Sequence, residues 1–189
     1  MRPYTMTEPL HTERLMLRLM RADDLNDIYS YQSDPDACRY LPYEPRSREA
    51  VRQNLEVHSK RNTIAEPGDY LRLAIQSRLT SKVLGELYFR LDSTVNRSAE
   101  VGWALHPEQH GKGFAAEAAS ALLDFAFDRV GIHRIFAKLD VRNSASAELC
   151  TRLGMRREAL FIDDEFAKGE WTSTAIYAVL EREWAARQS

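Results

Sequence analysis

Cysteine is scarce in this sequence. The two residues, Cys38 and Cys150, lie far apart and form no CxxC pattern. A small secreted domain would usually carry more cysteine, so the sequence favours a reducing compartment. Long apolar runs are also missing, because none approaches the ~20 residues of a membrane span. The first ten residues lack the apolar core of a signal peptide. We therefore expect a cytoplasmic protein that makes no membrane contact.

The sequence also lacks an excess of positive or negative charge. Lys and Arg total 26 and Asp and Glu total 28, which gives a formal net charge of -2. This balance argues against a nucleic-acid binder that acts by counterion release. It leaves small molecules, peptides and proteins as partners. With 189 residues, 44% of them hydrophobic, the chain can bury a real core, and we predict a single domain over 1–189.

Hydrophobic periodicity predicts a mixed order of strands and helices. Strands are expected at 12–19, 70–76, 83–91, 100–105, 133–141, 155–162 and 170–180. Helices are expected at 23–32, 47–61, 114–130, 143–153 and 181–187. The late strand–helix–strand crossover in this order predicts an α/β fold with a mixed sheet.

The segment 100–117, EVGWALHPEQHGKGFAAE, carries the most chemical information. A predicted strand runs into a loop with Gly111 and Gly113, and a helix begins directly afterwards. Glycine lets the backbone turn tightly and approach a ligand closely. The helix start adds unpaired N–H groups and the positive end of the helix dipole. Together these features predict a binding site for a phosphate or pyrophosphate.

Other interpretations of this loop are available. It could be an ordinary strand–turn–helix connection, since a short glycine motif is a weak signal. A Walker loop would require GxxxxGK[ST], and Lys112 does not lie in that pattern. A dinucleotide-binding loop would require GxGxxG, where the last position is Ala116, and no suitable acidic residue ends a following strand.

Five segments in order resemble the GNAT superfamily of N-acetyltransferases, in particular its RimJ/RimL type. His110 to Ala115 resembles the family's Gln/Arg-x-x-Gly-x-Gly/Ala motif, and the strand before it, AEVGWAL from Ala99, resembles the family's strand-four signature. The segments 143–155 and 12–18 and the ending at 168–184 also match. The resemblance covers about residues 11–184.

The resemblance implies an α/β fold whose mixed central sheet is splayed and flanked by helices on both faces, with acetyl-CoA in the gap. Main-chain groups would hold the pyrophosphate, and others would pair with pantetheine like an added strand. The implied pyrophosphate contacts are Gly111, Lys112, Gly113, Phe114 and Ala115, and the implied pantetheine contacts are Trp103, Ala104 and Leu105. Asn143 would contact the pantetheine arm or cap its helix. His110 departs from the family pattern, which has Gln or Arg there.

Transfer of an acetyl group to an amine needs a base for the amine proton and a donor for the departing thiolate. The resemblance implies Glu100 as the base, although it could be a surface charge or a partner for Arg97. Many family members place a donor tyrosine where this chain has Cys150. Ser146, in the RimL-like NxxS pattern, is the alternative donor, unless it only bonds backbone. We expect Cys150 to be a buried small hydrophobe and Tyr177 to pack in the core.

No metal site is expected. His106 and His110 have helical spacing, but Pro107 and Gly111 prevent a helix between them. The acidic residues Asp163 to Glu165 are expected in the last hairpin loop, which in this family borders the acceptor site.

The sequence therefore predicts an enzyme that uses acetyl-CoA to acetylate an amine. The expected acceptor is the N-terminal α-amine of a protein such as a ribosomal protein, with Asp34, Asp36 and Asp163 to Glu165 steering a basic peptide. An aminoglycoside or polyamine acetyltransferase is the alternative enzyme. A CoA-binding sensor module that has lost its chemistry is the alternative from another class. A homodimer is one possible assembly.

Overall fold

The computed structural model describes residues 3–187 of the chain. Its strands are β1 (Tyr4–Thr5), β2 (Leu10–His11), β3 (Leu15–Leu19), β4 (Thr63–Ile64), β5 (Tyr70–Ser77), β6 (Val83–Ser93), β7 (Ser98–Leu105), β8 (Arg134–Asp140), β9 (Arg156–Ala167) and β10 (Glu170–Leu180). Its α-helices are α1 (Leu25–Gln32), α2 (Pro35–Cys38), α3 (Arg48–His58), α4 (Phe114–Asp124), α5 (Ser144–Arg152) and α6 (Glu181–Ala185).

Eight strands form one mixed sheet in the order β2-β3-β5-β6-β7-β8-β10-β9, and β1 pairs with β4 separately. The neighbours in the large sheet are antiparallel except β7 and β8, which are parallel. The parallel pairing begins at Ser98 opposite Arg134 and ends at Glu100 opposite Phe136. Residues 101–105 of β7 have no partner on β8, so the sheet is splayed there, as the sequence resemblance implies.

Helices cover both faces of this sheet, because side chains along a strand alternate between its faces. Leu73 of β5 packs in the main core with Leu122 of α4, and α5 and α6 contribute to the same core. Ala74, the next residue, packs in a second cluster with Ile28 of α1 and Val51 of α3. The two sides are called the α4 face and the α1 face below. The α/β class and the mixed, splayed sheet are confirmed.

The predicted helix at 114–130 is an α-helix only as far as Asp124. Phe125–Val130 continues it as a π-helical turn that ends at Gly131, whose φ is 76°. One face of this helix is apolar and buried, and it includes Ala118, Leu122 and Phe125. Periodicity shows which face is apolar but not a local change in hydrogen-bond spacing, so the π turn escaped prediction.

Two further differences concern polar segments. The predicted helix end at residue 32 is confirmed, but Asp34 then caps a further short helix, α2, in which Pro35 occupies the first turn. The acidic residues Asp163 to Glu165 lie inside β9 rather than in the hairpin loop. The turn itself is at Lys168 and Gly169, whose φ angles are 53° and 83°. In the part of the chain that is described, no helix is long and apolar enough to cross a membrane.

Candidate active site

Two connected cavities mark the point where β7 and β8 separate. The inner cavity, ≈ 430 Å³, enters the gap between these strands. The outer cleft, ≈ 600 Å³, runs from the gap along β10 to the β9–β10 hairpin. The residues that line both are Tyr40, Leu41, Pro42, Glu100, Lys138 and Leu139. A ligand that threads the gap can therefore meet a second ligand in the outer cleft beside Glu100.

Glu100 lies at the point of separation, because it forms the last pair with β8. Its Oε2 accepts a hydrogen bond from the Arg90 guanidinium at 2.8 Å, across the β6–β7 register. The suggested partner Arg97 is wrong, since that side chain lies 3.9 Å from Glu181 instead. No donor to Glu100 Oε1 is present in residues 3–187. The arginine thus holds the carboxylate at the cavity wall with one oxygen free.

The floor of the inner cavity is polar, which sequence reasoning missed. Glu86, Tyr88 and Arg90 alternate along β6 and face the α1 side. Glu86 is buried and accepts hydrogen bonds from Arg72 at 3.1 Å, Gln32 at 3.2 Å and the Tyr43 hydroxyl at 3.4 Å. Alternation of polar with apolar residues in β6 was the available signal. A polar face in a central strand under helices indicates a polar cavity.

Ser146 and Trp103 meet across the gap on the α4 face. The Trp103 indole N–H donates to Ser146 Oγ at 3.2 Å. The Asn143 side-chain oxygen accepts from the Ser146 backbone N–H at 3.0 Å and so caps α5. Because an indole nitrogen only donates, the Ser146 hydroxyl acts as acceptor here and keeps its own proton for another partner. Asn143 also lines the inner cavity, so the capping role and a ligand contact are compatible.

Cys150 is fully buried in the main core. Burial raises the pKa of its thiol to about 12, so the neutral thiol prevails at physiological pH. Tyr177 is partly buried against the same core. Both residues therefore have the structural placement that the sequence predicted.

The glycine loop before α4 presents a row of free amides. Gly111 and Gly113 have φ angles of 74° and 81°, a region that other residues rarely adopt. Among residues 3–187, no acceptor is found for the backbone N–H groups of 111–116. Such consecutive amides at a helix N-terminus form an anion site. This arrangement supplies what a pyrophosphate requires.

A network from the start of β3 braces the glycine loop. Glu117 accepts hydrogen bonds from the Thr12 hydroxyl at 2.5 Å and the Arg14 guanidinium at 2.6 Å. Arg14 also donates to the Lys112 carbonyl at 3.0 Å. Burial acts to raise the pKa of Glu117, but the hydrogen bonds from Thr12 and Arg14 outweigh it and hold that pKa below its usual value. The sequence linked Arg14 to the family motif without giving it this role.

His110 belongs to the frame of the loop. One ring nitrogen lies 3.1 Å from the Leu105 carbonyl oxygen, and this nitrogen donates, because a carbonyl can only accept. The ring of His106 instead accepts from the Glu108 N–H at 3.2 Å and caps a 3₁₀ turn. The imidazole of His110 thus ties the end of β7 to the loop.

The acidic residues named from the sequence are only partly brought together. Asp164 and Glu165 line the outer cleft, whereas Asp34 caps α2 and Asp36 is paired with Arg39 at 2.9 Å. At the hairpin turn the Lys168 ammonium donates to the carbonyls of Cys38 and Arg39. This contact joins the hairpin to α2 and closes one end of the cleft.

The residues at the gap fit CoA on structural grounds. The unpaired edge of β7 offers backbone groups to a ligand that pairs like a strand, and the loop amides offer an anion site at its end. The inner cavity runs along this edge as far as Ala104.

Comparisons with known proteins agree with this geometry. Residues 14–156 match the family model described as "Acetyltransferase (GNAT) domain". A Bacillus licheniformis protein named "Uncharacterized N-acetyltransferase p20" is 34% identical over 94% of this chain and 99% of its own length. A GNAT-family acetyltransferase structure from Bacillus anthracis superposes with a TM-score of 0.82 at 27% identity, covering 92% of this chain and 99% of that one.

The name of a third relative states the amine that it acetylates. The spermidine N(1)-acetyltransferase of Vibrio cholerae is 22% identical over 92% of this chain and 97% of its own length. The family match spans most of the sequence and includes both the glycine loop and the splayed strands. The chain belongs to the GNAT acetyltransferase family and is an acetyl-CoA-dependent N-acetyltransferase.

Proposed function

We propose that this enzyme acetylates the N-terminal α-amine of a protein, such as a ribosomal protein, as RimJ/RimL-type enzymes do. The observation that carries the proposal is the open outer cleft, which joins the inner cavity at Glu100. A cleft of ≈ 600 Å³ accommodates the first residues of an extended peptide, and its amine can reach the gap while the remainder stays outside.

The charges along the cleft support a peptide rather than a polycation. Acidic and basic side chains both line it, and the basic ones are Arg39, Lys138, Arg142 and Lys168. Three of the acids are already paired, since Arg90 binds Glu100, and Arg142 binds both Asp140 and Glu170. A polyamine carries several positive charges, so its site requires more unpaired acids than Asp164 and Glu165 provide.

The chemistry of the amine points to the same acceptor. An α-amine has a pKa of ~7.7–8.0, against ~10.4 for a lysine side chain. About a fifth to a third of α-amines is therefore neutral near pH 7.4, against ~0.1% of lysine side chains. A catalytic base therefore removes a proton from an α-amine more easily than from a lysine side chain, because the pKa of the α-amine is lower.

For the co-substrate, we propose contacts by main chain more than by side chain. The amides of Gly111, Lys112, Gly113, Phe114 and Ala115 bind the pyrophosphate, and the backbone of Trp103, Ala104 and Leu105 pairs with pantetheine. Asn143 contacts the pantetheine arm, and His110 holds the loop against Leu105. The free amides and the unpaired edge of β7 support this placement.

Acetyl-CoA supplies the thioester carbonyl that the amine attacks. Glu100 accepts the amine proton, directly or through water, at its free Oε1, while Arg90 fixes Oε2. As the new C–N bond forms and the C–S bond breaks, Ser146 donates its hydroxyl hydrogen bond to the departing sulfur. The Trp103 indole N–H already donates to the oxygen of this hydroxyl, so the Ser146 proton is directed away from Trp103 and towards the sulfur.

Replacement of Glu100 by Gln tests the base. The change keeps the side-chain size and removes the proton acceptor, so kcat/KM should fall ~10²-fold or more, with CoA affinity unchanged by calorimetry. Glu49→Gln, on the exposed side of α3, is the matched control and should leave kcat/KM unaltered. A fall of less than about threefold, or ~0.7 kcal/mol, would remove Glu100 from the mechanism.

Ser146→Ala should lower kcat ~10²-fold, the scale for loss of one donor to a developing negative charge. The α5 cap survives, because Asn143 bonds the backbone of residue 146. The control, Cys150→Ala, should cost about 1 kcal/mol of stability by loss of packing and leave kcat near wild type. Steady-state kinetics and thermal melts of both variants make the comparison. A kcat loss in the cysteine variant alone reverses the assignment.

A small polyamine is the second candidate acceptor. The carboxylates of Asp164 and Glu165 form no ion pair in residues 3–187 and face the cleft, and one relative is named for spermidine. A polyamine would bind there by its charges, so its turnover should depend on Glu165.

Acceptor competition decides between these candidates. The mixture contains a short basic peptide with a free N-terminus, its N-blocked lysine-containing twin, spermidine and an aminoglycoside. We expect the free peptide to have the highest kcat/KM, by tenfold or more, with Glu165→Gln changing it little. Preferred turnover of spermidine, abolished by Glu165→Gln, would instead establish the polyamine enzyme. Binding of CoA with no turnover of any amine would favour a sensor module.

A further inference from the structure

One glycine of this chain is required neither by its backbone nor by its packing. Six of the eight glycines have a positive φ, which other residues rarely adopt. Gly85 in β6 has no positive φ, but a Cβ there would lie 2.3 Å from the Ala104 carbonyl oxygen, so a side chain does not fit. Gly102 in β7 also has no positive φ, and the nearest atom of residues 3–187 to an added Cβ would be in the Tyr88 side chain at 3.7 Å, an ordinary contact. The protein itself could therefore carry alanine at position 102.

The position of Gly102 points to a ligand. Glycine weakens the interior of a strand, because it loses more conformational freedom on folding and has no side chain to pack. β7 lies in the middle of the large sheet, and a glycine there often marks a place that a ligand approaches closely. Gly102 lines the inner cavity and is partly exposed. The open space over this residue is therefore part of the candidate active site.

This open space lies on the α1 face of the sheet. Gly102 is opposite Tyr88 in the β6–β7 register, and opposite residues project to the same face. Glu100 shares that face, because side chains alternate along a strand. Pantetheine, as proposed above, pairs with the free edge of β7 in the plane of the sheet. The space over Gly102 is thus on the side of the acceptor and outside the path of the thioester.

An amine bound to Glu100 brings its own carbon atom over Gly102. Positions two apart along a strand are about 7 Å apart, and a hydrogen bond from the amine to the carboxylate spans ~2.8 Å of that distance. The carbon that bears the amine, with its substituents, falls within the remainder. Tyr88 and the segment 40–43 line the same part of the cavity. A side chain at residue 102 would therefore compete with any branch on that carbon.

We propose that Gly102 determines acceptor specificity by leaving room for a branched carbon next to the amine, an inference that rests on the N-terminal acceptor proposed above. The α-carbon of a protein N-terminus carries both a side chain and a carbonyl group. The corresponding carbon of a lysine side chain or of a polyamine is an unbranched CH₂. The bare backbone at Gly102 accommodates the first side chain of the acceptor, while the rest of the peptide continues into the outer cleft. Without this space the enzyme would be confined to unbranched amines.

Gly102→Ala tests this role with peptides that differ only in their first residue. Three basic peptides of one sequence begin with a free glycine, alanine or valine. In the variant, kcat/KM for the alanine and valine peptides should fall at least tenfold relative to the glycine peptide, because the added methyl group takes the space of the first side chain. Gly102→Val should enlarge this difference. The glycine peptide is the matched control and should lose less than threefold, because its α-carbon has no side chain.

Stability and CoA binding separate this role from a structural one. The melting temperature of Gly102→Ala should equal or exceed that of the wild type, because the new Cβ meets no close atom. Calorimetry should show unchanged affinity for CoA, since pantetheine contacts only the main chain of β7. Gly85→Ala should instead lower the melting temperature, because its Cβ would meet the Ala104 carbonyl.

The failure of this role and the failure of the proposed function give different results. An equal loss with all three peptides, an unchanged ratio among them, or a loss explained by weaker CoA binding would overturn the role of Gly102 and leave N-terminal acetylation intact. Preference of the wild type for spermidine over every peptide would contradict the proposed function, and the role of Gly102 would fall with it.

Discussion

The separation of β7 from β8 after Glu100 is the constraint on which the rest of the site depends. Two parallel strands that pair at 98–100 of β7 and then part leave a row of backbone groups with no partner on one side. Buried backbone groups must find partners, so this edge is suited to a ligand that pairs like a strand. The separation of the two strands also opens the inner cavity, which connects the two faces of the sheet.

Each catalytic candidate lies on its own side of that opening. Glu100 faces the α1 side, where Arg90 holds it and the outer cleft begins. Ser146 faces the α4 side, where the Trp103 indole reaches across to it. A proton acceptor for the amine and a donor for the sulfur are thus separated by the gap itself, which suits an amine and a thioester that approach from opposite faces.

The glycine loop, which we propose binds the pyrophosphate, is held in place by a separate set of contacts. Gly111 and Gly113 give the loop its shape, and the Thr12–Arg14–Glu117 network holds it against β3. Since the folded pKa of Glu117 is lowered, its contribution is complete at neutral pH and is lost as pH falls through that pKa. The loop amides can therefore stay oriented towards an anion under physiological conditions.

Local patterns in the sequence were sufficient for much of this. Hydrophobic periodicity predicted β8, and the glycine motif predicted a loop with free amides ahead of a helix; that this loop binds an anion stays a prediction. Contacts that depend on strand register were not predictable, so Arg90 was missed as the partner of Glu100, and the acidic run 163–165 was placed in a loop. The bulge and the turn at Lys168–Gly169, which set those positions, depend on tertiary packing rather than on periodicity.

Hydrogen–deuterium exchange with and without CoA tests most directly whether the splayed strand and the glycine loop together hold the co-substrate. The amides of 111–116 have no acceptor within the described chain, so they should exchange rapidly in the free enzyme. CoA should slow exchange at 111–116 and at 101–105 and leave α3 unchanged. Unaltered exchange in both segments at saturating CoA, or protection confined to other elements, would contradict this account.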